Sequence, residues 1–205
     1  TGLVVNLSAL QMIGRDTVFV AGECALRRSD DGGQTFRRLS WVATESGCRS
    51  PIVSIAFANG STGFLLLKDG SVMRTADGGR SFARKTSVLG KDPQSAAFTT
   101  PTTGFVVSKD GRIYRTTDGA SSWVQVADTR KQLASVSFVT ESIGYAVGAG
   151  LTVYKTIDGG STWSAVPVTG VPAADLTRMR CAGTELCLAS VSDGTQLLRT
   201  TDGGA

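Results

Sequence analysis

The chain has 205 residues, of which 41% are hydrophobic, 19% are charged and 25 are glycine. This composition excludes a disordered chain and a coiled coil, and no apolar run approaches the ~20 residues that cross a bilayer. The formal net charge is +4 at pH 7, and the absence of histidine excludes a Ser-His-Asp triad and a zinc site with histidine ligands. Abundant Gly, Val, Thr and Ser without a long helix-forming block predict an all-β protein rich in turns.

An eight-residue motif recurs along the chain, and we call it the box. Its pattern is Ser/Thr-x-Asp-Gly-Gly-x-Ser/Thr-Phe/Trp, and it occurs at 29–36, 75–82, 116–123 and 156–163, with a fifth copy starting at Thr200. The third copy has Ala120 in place of the second glycine, so we expect a slightly different turn there. The box aspartates are spaced by 46, 41, 40 and 44 residues: Asp31, Asp77, Asp118, Asp158 and Asp202.

The box is predicted to form a tight turn. Its aspartate can accept hydrogen bonds from backbone N–H groups of the same turn, and its glycines supply positive φ angles. The terminal Phe or Trp packs beneath the turn as an anchor. A catalytic role for these aspartates would require five equivalent active sites, so we interpret the boxes as structural.

Four short strands are predicted in each repeat unit, and we label them a to d. In the second unit they cover 53–57, 63–67, 71–75 and 81–84, with an Asp-Gly hairpin signal at 69–70. Four antiparallel strands with a period of about 40 residues are typical of one propeller blade. The sequence therefore predicts a single β-propeller domain over 1–205, with units at roughly 6–47, 48–90, 91–130, 131–172 and 173–205 plus 1–5.

Five boxes predict five blades. The apolar stretch at 3–5 is expected to be a strand that completes the last blade and closes the ring, which leaves no open sheet edge. The alternative is that the chain is a fragment of a larger propeller with further blades.

The box is similar to the Asp-box, also called the bacterial neuraminidase repeat. The whole unit, with Phe57 and Phe64 preceding Asp77, resembles the blades of photosystem II assembly-factor-like propellers. The resemblance covers essentially the whole chain and implies a propeller of bacterial type. It also implies that the boxes lie on the face opposite the active site of sialidases. It says little about activity, because many functions share propellers.

An even number of cysteines without histidine favours disulfides over zinc, with free buried thiols as the alternative. The predicted loop positions pair Cys24 with Cys48 and Cys181 with Cys187. Disulfides in turn predict a secreted protein in an extracellular, periplasmic or cell-surface location. No metal site and no cofactor are expected.

Propeller ligands usually bind at the mouth of the central channel, where the a strands converge. Most units have small residues at two positions of strand a, whereas the fifth unit has Arg178 and Arg180. Two arginines on one face can clamp a carboxylate or a phosphate. The alternatives are that they pair with Asp175 or Glu185, or that they point into a wet channel.

A second candidate set is the cationic belt, formed by the basic residue before each box. These side chains are expected to engage an acidic partner. The alternative is that their charged ends are solvated and their aliphatic stems cover neighbouring residues. Trp41 lies in the long insert of the first unit and is expected to contact a glycan or a protein, or to start a longer strand d. The belt residues are Arg28, Arg74, Arg115, Lys155 and Arg199.

These features predict a non-enzymatic propeller that binds a protein partner, with an acidic surface as one option, or acts as a complex-assembly platform. The alternative is a carbohydrate-active module, either a lectin-like glycan binder or a relative of sialidases and other glycoside hydrolases. A hydrolase needs a carboxylate pair or a Tyr–Glu nucleophile. No acidic residue lies in the middle of a predicted inner strand, and Tyr114 and Tyr154 occupy a core position of the repeat. Nucleic acid is not an expected partner, because no aromatic and basic surface motif is present.

Overall fold

The computed structural model describes residues 7–23, 25–40, 50–87, 92–194 and 196–203. Over these residues the chain is all-β, and small antiparallel sheets are arranged in a ring as a five-bladed β-propeller. The predicted fold class is therefore confirmed. None of the described residues belongs to a helix that is long and apolar enough to cross a membrane.

The strands follow the repeat. The first blade contains β1 (Ala9–Ile13), β2 (Thr17–Gly22), β3 (Ala25–Ser29) and β4 (Arg37–Arg38). The second contains β5 (Ile52–Phe57), β6 (Gly63–Leu67), β7 (Val72–Thr75) and β8 (Ala83–Arg84). The third contains β9 (Pro93–Phe98), β10 (Gly104–Ser108), β11 (Arg112–Thr116) and β12 (Val124–Asp128). The fourth contains β13 (Leu133–Phe138), β14 (Gly144–Gly148), β15 (Thr152–Thr156) and β16 (Ser164–Ala165). The described part of the fifth contains β17 (Leu176–Ala182), β18 (Leu186–Val191) and β19 (Leu197–Thr200).

Each blade is a simple meander in which consecutive strands pair in antiparallel fashion. The first strand of each blade lies innermost, and β1, β5, β9, β13 and β17 are neighbours in that order. Strand d is shorter than predicted in the second blade, because the backbone N–H of Ser81 donates to Asp77 within the box and β8 starts only at Ala83. The predicted strand at 3–5 lies outside the described residues.

The second strand of each blade is the most buried element. All five residues of β6, β10 and β14 are buried, so these strands do not alternate between buried and exposed positions. This pattern arises because a blade packs against a neighbour on both faces, as in sheets covered on both sides.

The core lies in the seams between blades. Each seam of the first four blades contains an aromatic residue from the second strand of one blade and one from the first strand of the next, such as Phe19 stacked on Phe57 with ring centroids 4.3 Å apart. The ring of Phe57 lies over Gly63, where a Cβ atom would lie 2.5 Å from it. Glycine at this position thus allows the aromatic ring to lie flat on its own sheet.

Candidate functional site at the central channel

Hydrogen bonds between neighbouring blades fix the inner strands around the channel. Ser54 Oγ accepts a hydrogen bond from the backbone N–H of Ala96 at 3.1 Å, and Ser95 Oγ accepts one from Val136 N–H at 3.3 Å. Between the first two blades, the Gln11 amide accepts from the N–H of Phe57 at 2.7 Å and donates to its carbonyl at 3.3 Å. These bonds hold the channel wall in place.

Arg178 and Arg180 occupy the positions on β17 that Ser54 and Ala56 occupy on β5. Both side chains reach solvent in the channel, and the channel wall partly buries the guanidinium group of Arg180. Arg178 Nη2 donates to the carbonyl of Ser8 at 3.0 Å, which links the fifth blade to the first. Arg180 Nη1 donates to the carbonyl of Met179 at 2.9 Å.

Two cavities in the channel are lined by these arginines. One cavity of about 390 Å³ is lined by both arginines together with Ser8, Ser54 and Ser95. A second cavity of about 480 Å³ is lined by residues of all five inner strands, including Arg180. Among the described residues, neither lining contains an aspartate or a glutamate.

The arginines have no acidic partner within the described part of the chain. Asp175, one of the two predicted partners, accepts a hydrogen bond from the backbone N–H of Gly150 at 2.8 Å. Burial, and secondly the positive charge of Arg178, lower the pKa of Arg180. An anion placed between the two guanidinium groups would relieve both effects, since it supplies an opposite charge and hydrogen-bond acceptors.

None of the described box residues lines these cavities, and each box is held together by its own hydrogen bonds. In the second box, Asp77 Oδ1 accepts from the backbone N–H groups of Arg80 and Ser81, each at 2.9 Å, and Asp77 Oδ2 accepts from the Ser81 hydroxyl at 2.6 Å. Thr75 Oγ1 donates to the same carboxylate and accepts from Gly79 N–H at 2.8 Å. These contacts saturate the aspartate with donors from its own turn.

The third box has the same turn as the others, so the expectation of a different turn at Ala120 was wrong. Ala120 adopts a φ of 68°, close to the 75° of Gly160 in the fourth box. Its N–H donates to Thr116 Oγ1 at 3.0 Å. Its methyl group is fully buried in the seam that contains Phe64.

Most members of the cationic belt pack on an aromatic ring, and two of them connect consecutive blades. Each described member except Arg199 lies over an aromatic ring of its own blade, at 5.4 to 6.0 Å from the ring centroid: Arg28 over Phe19, Arg74 over Phe64, Arg115 over Phe105 and Lys155 over Tyr145. Two of these cations also donate to a box carbonyl of the next blade: Arg28 to Gly78, and Lys155 to Gly203 at 2.9 Å. The belt is thus built into the seams, whereas Arg199 is exposed.

The sequence predicted some of these features but not others. The disulfide between Cys181 and Cys187 is confirmed, with an S–S distance of 2.03 Å. Trp41 and the predicted Cys24–Cys48 pair lie outside the described residues. The role of Gln11 was missed; it occupies on β1 the position that Ala56 occupies on β5. The described residues contain no group of three or more Cys, Asp or Glu side chains that could hold a metal ion.

The blades and seams define the chain as a β-propeller, and comparisons with solved structures agree. No family model and no curated protein matches the chain. YCF48 from Cyanidioschyzon merolae is 14% identical, with a TM-score of 0.57 over 97% of each chain. A structure of YCF48 bound to a D1 peptide is also 14% identical, with a TM-score of 0.56 over 96% of this chain and 93% of the other.

Larger propellers resemble the chain as well. The GH74 enzyme of Niastella koreensis is 16% identical, with a TM-score of 0.76 over 97% of this chain, which spans 36% of that enzyme. U3-55K is 12% identical, with a TM-score of 0.79 over 97% of this chain and 62% of the other. At such identities the likeness establishes the propeller fold alone.

Proposed function

We propose that this propeller is a non-enzymatic, exported binding protein, of bacterial type, that holds an acidic segment of a protein partner at its channel mouth. Arg178 and Arg180 are the anion-binding groups in this proposal. The observation that carries it is that both arginines line the channel cavities and that no carboxylate is among the described residues of those linings. Charge-assisted hydrogen bonds from arginine to carboxylate are among the stronger polar contacts.

A peptide ligand fits the dimensions of the site. The channel is lined by strands of all five blades, so an extended segment would contact several of them at once. The structural similarity to YCF48, which has been captured with a D1 peptide, supports a peptide as the ligand class. The Cys181–Cys187 disulfide supports a location outside the reducing cytoplasm.

The test compares binding of a fluorescein-labelled hexaglutamate peptide to the native protein and to an Arg178→Ser/Arg180→Ala variant. These substitutions introduce residue types found at the same positions of the second blade. We expect at least a tenfold loss of affinity, measured by fluorescence anisotropy, and weaker binding by the native protein at high salt. The matched control is Arg15→Ser/Arg80→Ala, which removes two exposed arginines elsewhere.

Equal losses in both double variants would show that only net charge matters and would overturn the proposal. The carbohydrate-active alternative is tested on the same preparations with xyloglucan and a fluorogenic sialoside. Turnover of either substrate would favour that alternative and contradict a non-enzymatic role.

A further inference from the structure

The strand that carries the two channel arginines is fastened near its end by the disulfide. Cys181 directly follows Arg180 on β17, and it lies opposite Cys187 on β18. Cys187 is buried in the core of the seam between the fourth and fifth blades, where Tyr145 and Met179 also pack. The disulfide therefore ties the channel-lining strand to a buried position of its own blade.

A hydrogen bond that fixes other inner strands is missing at β17. The hydroxyls of Ser54 and Ser95 each accept an N–H group from the inner strand of the following blade. Ser135 occupies the same position on β13, but its hydroxyl is buried and has no hydrogen-bond partner among the described residues. Within that part of the chain, β17 thus lacks the bond to the preceding blade that β9 and β13 have.

The hydrogen bonds of the two arginines leave this end of β17 free to move. The bond from Arg178 to the Ser8 carbonyl lies three residues before Cys181, and the bond from Arg180 to the Met179 carbonyl is internal to β17. In the second, third and fourth blades an aromatic ring on glycine holds the same corner, whereas here the disulfide holds it. We therefore expect the position of Arg180 to depend on the covalent bond.

The channel gives access to the disulfide through Cys181. This residue is only partly buried, and it lines the cavity of about 480 Å³ together with Arg180. The attacking species in thiol–disulfide exchange is a thiolate, and a neighbouring arginine stabilises such an anion. Because Cys187 is buried, an incoming thiolate attacks the sulfur of Cys181.

We propose that the Cys181–Cys187 disulfide is a redox switch of the channel site, which holds its acidic segment in the oxidised state and releases it on reduction. This inference rests on the proposed function. The reductant is a dithiol of the thioredoxin class: the S–S bond breaks, each cysteine sulfur gains one electron and one proton, and the dithiol is oxidised to its own disulfide. In the reduced state β17 has lost its covalent anchor, so the ligand must first order the arginines and its affinity falls.

Thermodynamic linkage makes the effect reciprocal. If the oxidised protein binds the segment tenfold more tightly than the reduced protein, saturating segment makes the disulfide tenfold harder to reduce. For a two-electron couple, this factor shifts the midpoint potential by about 30 mV to more negative values.

The test measures binding of the fluorescein-labelled hexaglutamate peptide to the oxidised full chain and to the chain reduced with dithiothreitol. We expect the affinity to fall at least tenfold on reduction and to return on reoxidation, while circular dichroism shows that the reduced chain is still folded. Titration in dithiothreitol redox buffers, with and without saturating peptide, should show the shift in midpoint potential. Equal binding by both redox forms would overturn the switch and leave the proposed function intact, whereas absence of binding by the oxidised chain would overturn both.

Cysteine variants separate the switch from general unfolding and from the other two cysteines. Cys24→Ser/Cys48→Ser should keep the full response to dithiothreitol. Cys181→Phe/Cys187→Gly introduces the residue pair of the second blade, so it should bind the peptide as the oxidised chain does, with or without dithiothreitol. Cys181→Ala/Cys187→Ala should bind as weakly as the reduced chain. Loss of the response in the first variant, a response in the second, or full binding by the third would contradict the proposal.

Discussion

Cys181 and Cys187 lie directly opposite each other on β17 and β18, and their disulfide occupies the register position that Phe57 and Gly63 occupy in the second blade. The equivalence follows from the third strands, since Thr75 pairs with Gly63 and Thr200 pairs with Cys187. In the second, third and fourth blades an aromatic ring lying on glycine fixes this corner, whereas the first blade has Met12 opposite Val18. In the fifth blade a covalent bond does so.

The disulfide at the position of an aromatic–glycine pair predicts how cysteine variants behave. Replacing both cysteines by alanine should cost about 2 kcal/mol of unfolding free energy, because a disulfide with a sequence separation of 6 closes only a short loop. A Cys181→Phe/Cys187→Gly variant should recover part of this loss, since its ring can stack on Tyr145 as Phe57 stacks on Phe19. Urea unfolding, monitored by circular dichroism, measures the unfolding free energy of both double variants. If the Phe/Gly variant is no more stable than the Ala/Ala variant, the equivalence fails.

The glycines beneath the aromatic rings should not tolerate a methyl group. A Cβ atom at Gly63 would lie 2.5 Å from the ring of Phe57, so Gly63→Ala should cost about 1–3 kcal/mol through overpacking. Gly60→Ala is the control, because no atom lies within 4 Å of its added Cβ. The Gly60→Ala substitution should change the free energy of unfolding by less than about 0.5 kcal/mol. Chemical denaturation of both variants tests the prediction, and equal effects would contradict it.

The repeat was sufficient to predict the blades because its period, hairpin signals and boxes all lie close together in sequence. The strand Gly63–Leu67 was predicted with its observed bounds. The fifth blade departs from the predicted spacing, since Cys181 and Leu188 lie one residue further from Asp202 than their counterparts lie from Asp77. The hairpin between β18 and β19 is longer than the one between β6 and β7, so the fixed spacing of the repeat does not locate the strands of the fifth blade.

Contacts between blades were harder to predict, because they join residues that are distant in sequence. The belt position was visible as a basic residue before each box, but the carbonyl that receives Lys155 belongs to Gly203, 48 residues away. The stacked rings of the seams likewise join residues of two blades, as Phe19 and Phe57 do. The channel arginines were recognised only because their unit departs from the small residues of the others.

The belt cations are expected to stabilise the seams. Lys155 lies 5.6 Å from the ring centroid of Tyr145 and donates to the Gly203 carbonyl at 2.9 Å. Lys155→Met keeps the aliphatic stem but removes the ammonium group, and it should cost about 1–2 kcal/mol. Lys109→Met, at an exposed hairpin, should be close to neutral. Equal unfolding free energies for the two variants would show that the belt is only a set of solvated charges.

The boxes should make the protein sensitive to acid below about pH 4. Hydrogen bonds from the Ser122 and Thr162 hydroxyls, and then from their backbone N–H groups, lower the pKa of Asp118 and of Asp158 from 3.8 to about 2. Hydrogen bonds, first from the Ser29 hydroxyl to Asp31 and from the Ser81 hydroxyl to Asp77, also lower the pKa of these two aspartates. Because the folded-state pKa is the lower one, these carboxylates stabilise the fold fully above the unfolded value. Their contribution is lost as the pH falls from about 4 towards 2.

Melting temperatures measured between pH 7 and pH 2 test this dependence. The native protein should show a constant melting temperature above about pH 5 and a steep fall below pH 4. Asp118→Asn keeps the shape and one acceptor oxygen but removes the titrating group, so its acid transition should be shallower. Glu141→Gln removes an exposed carboxylate that lies outside the boxes and should leave the transition unchanged. An identical acid slope in Asp118→Asn and the native protein would show that the box carboxylates are not the groups whose protonation unfolds the propeller.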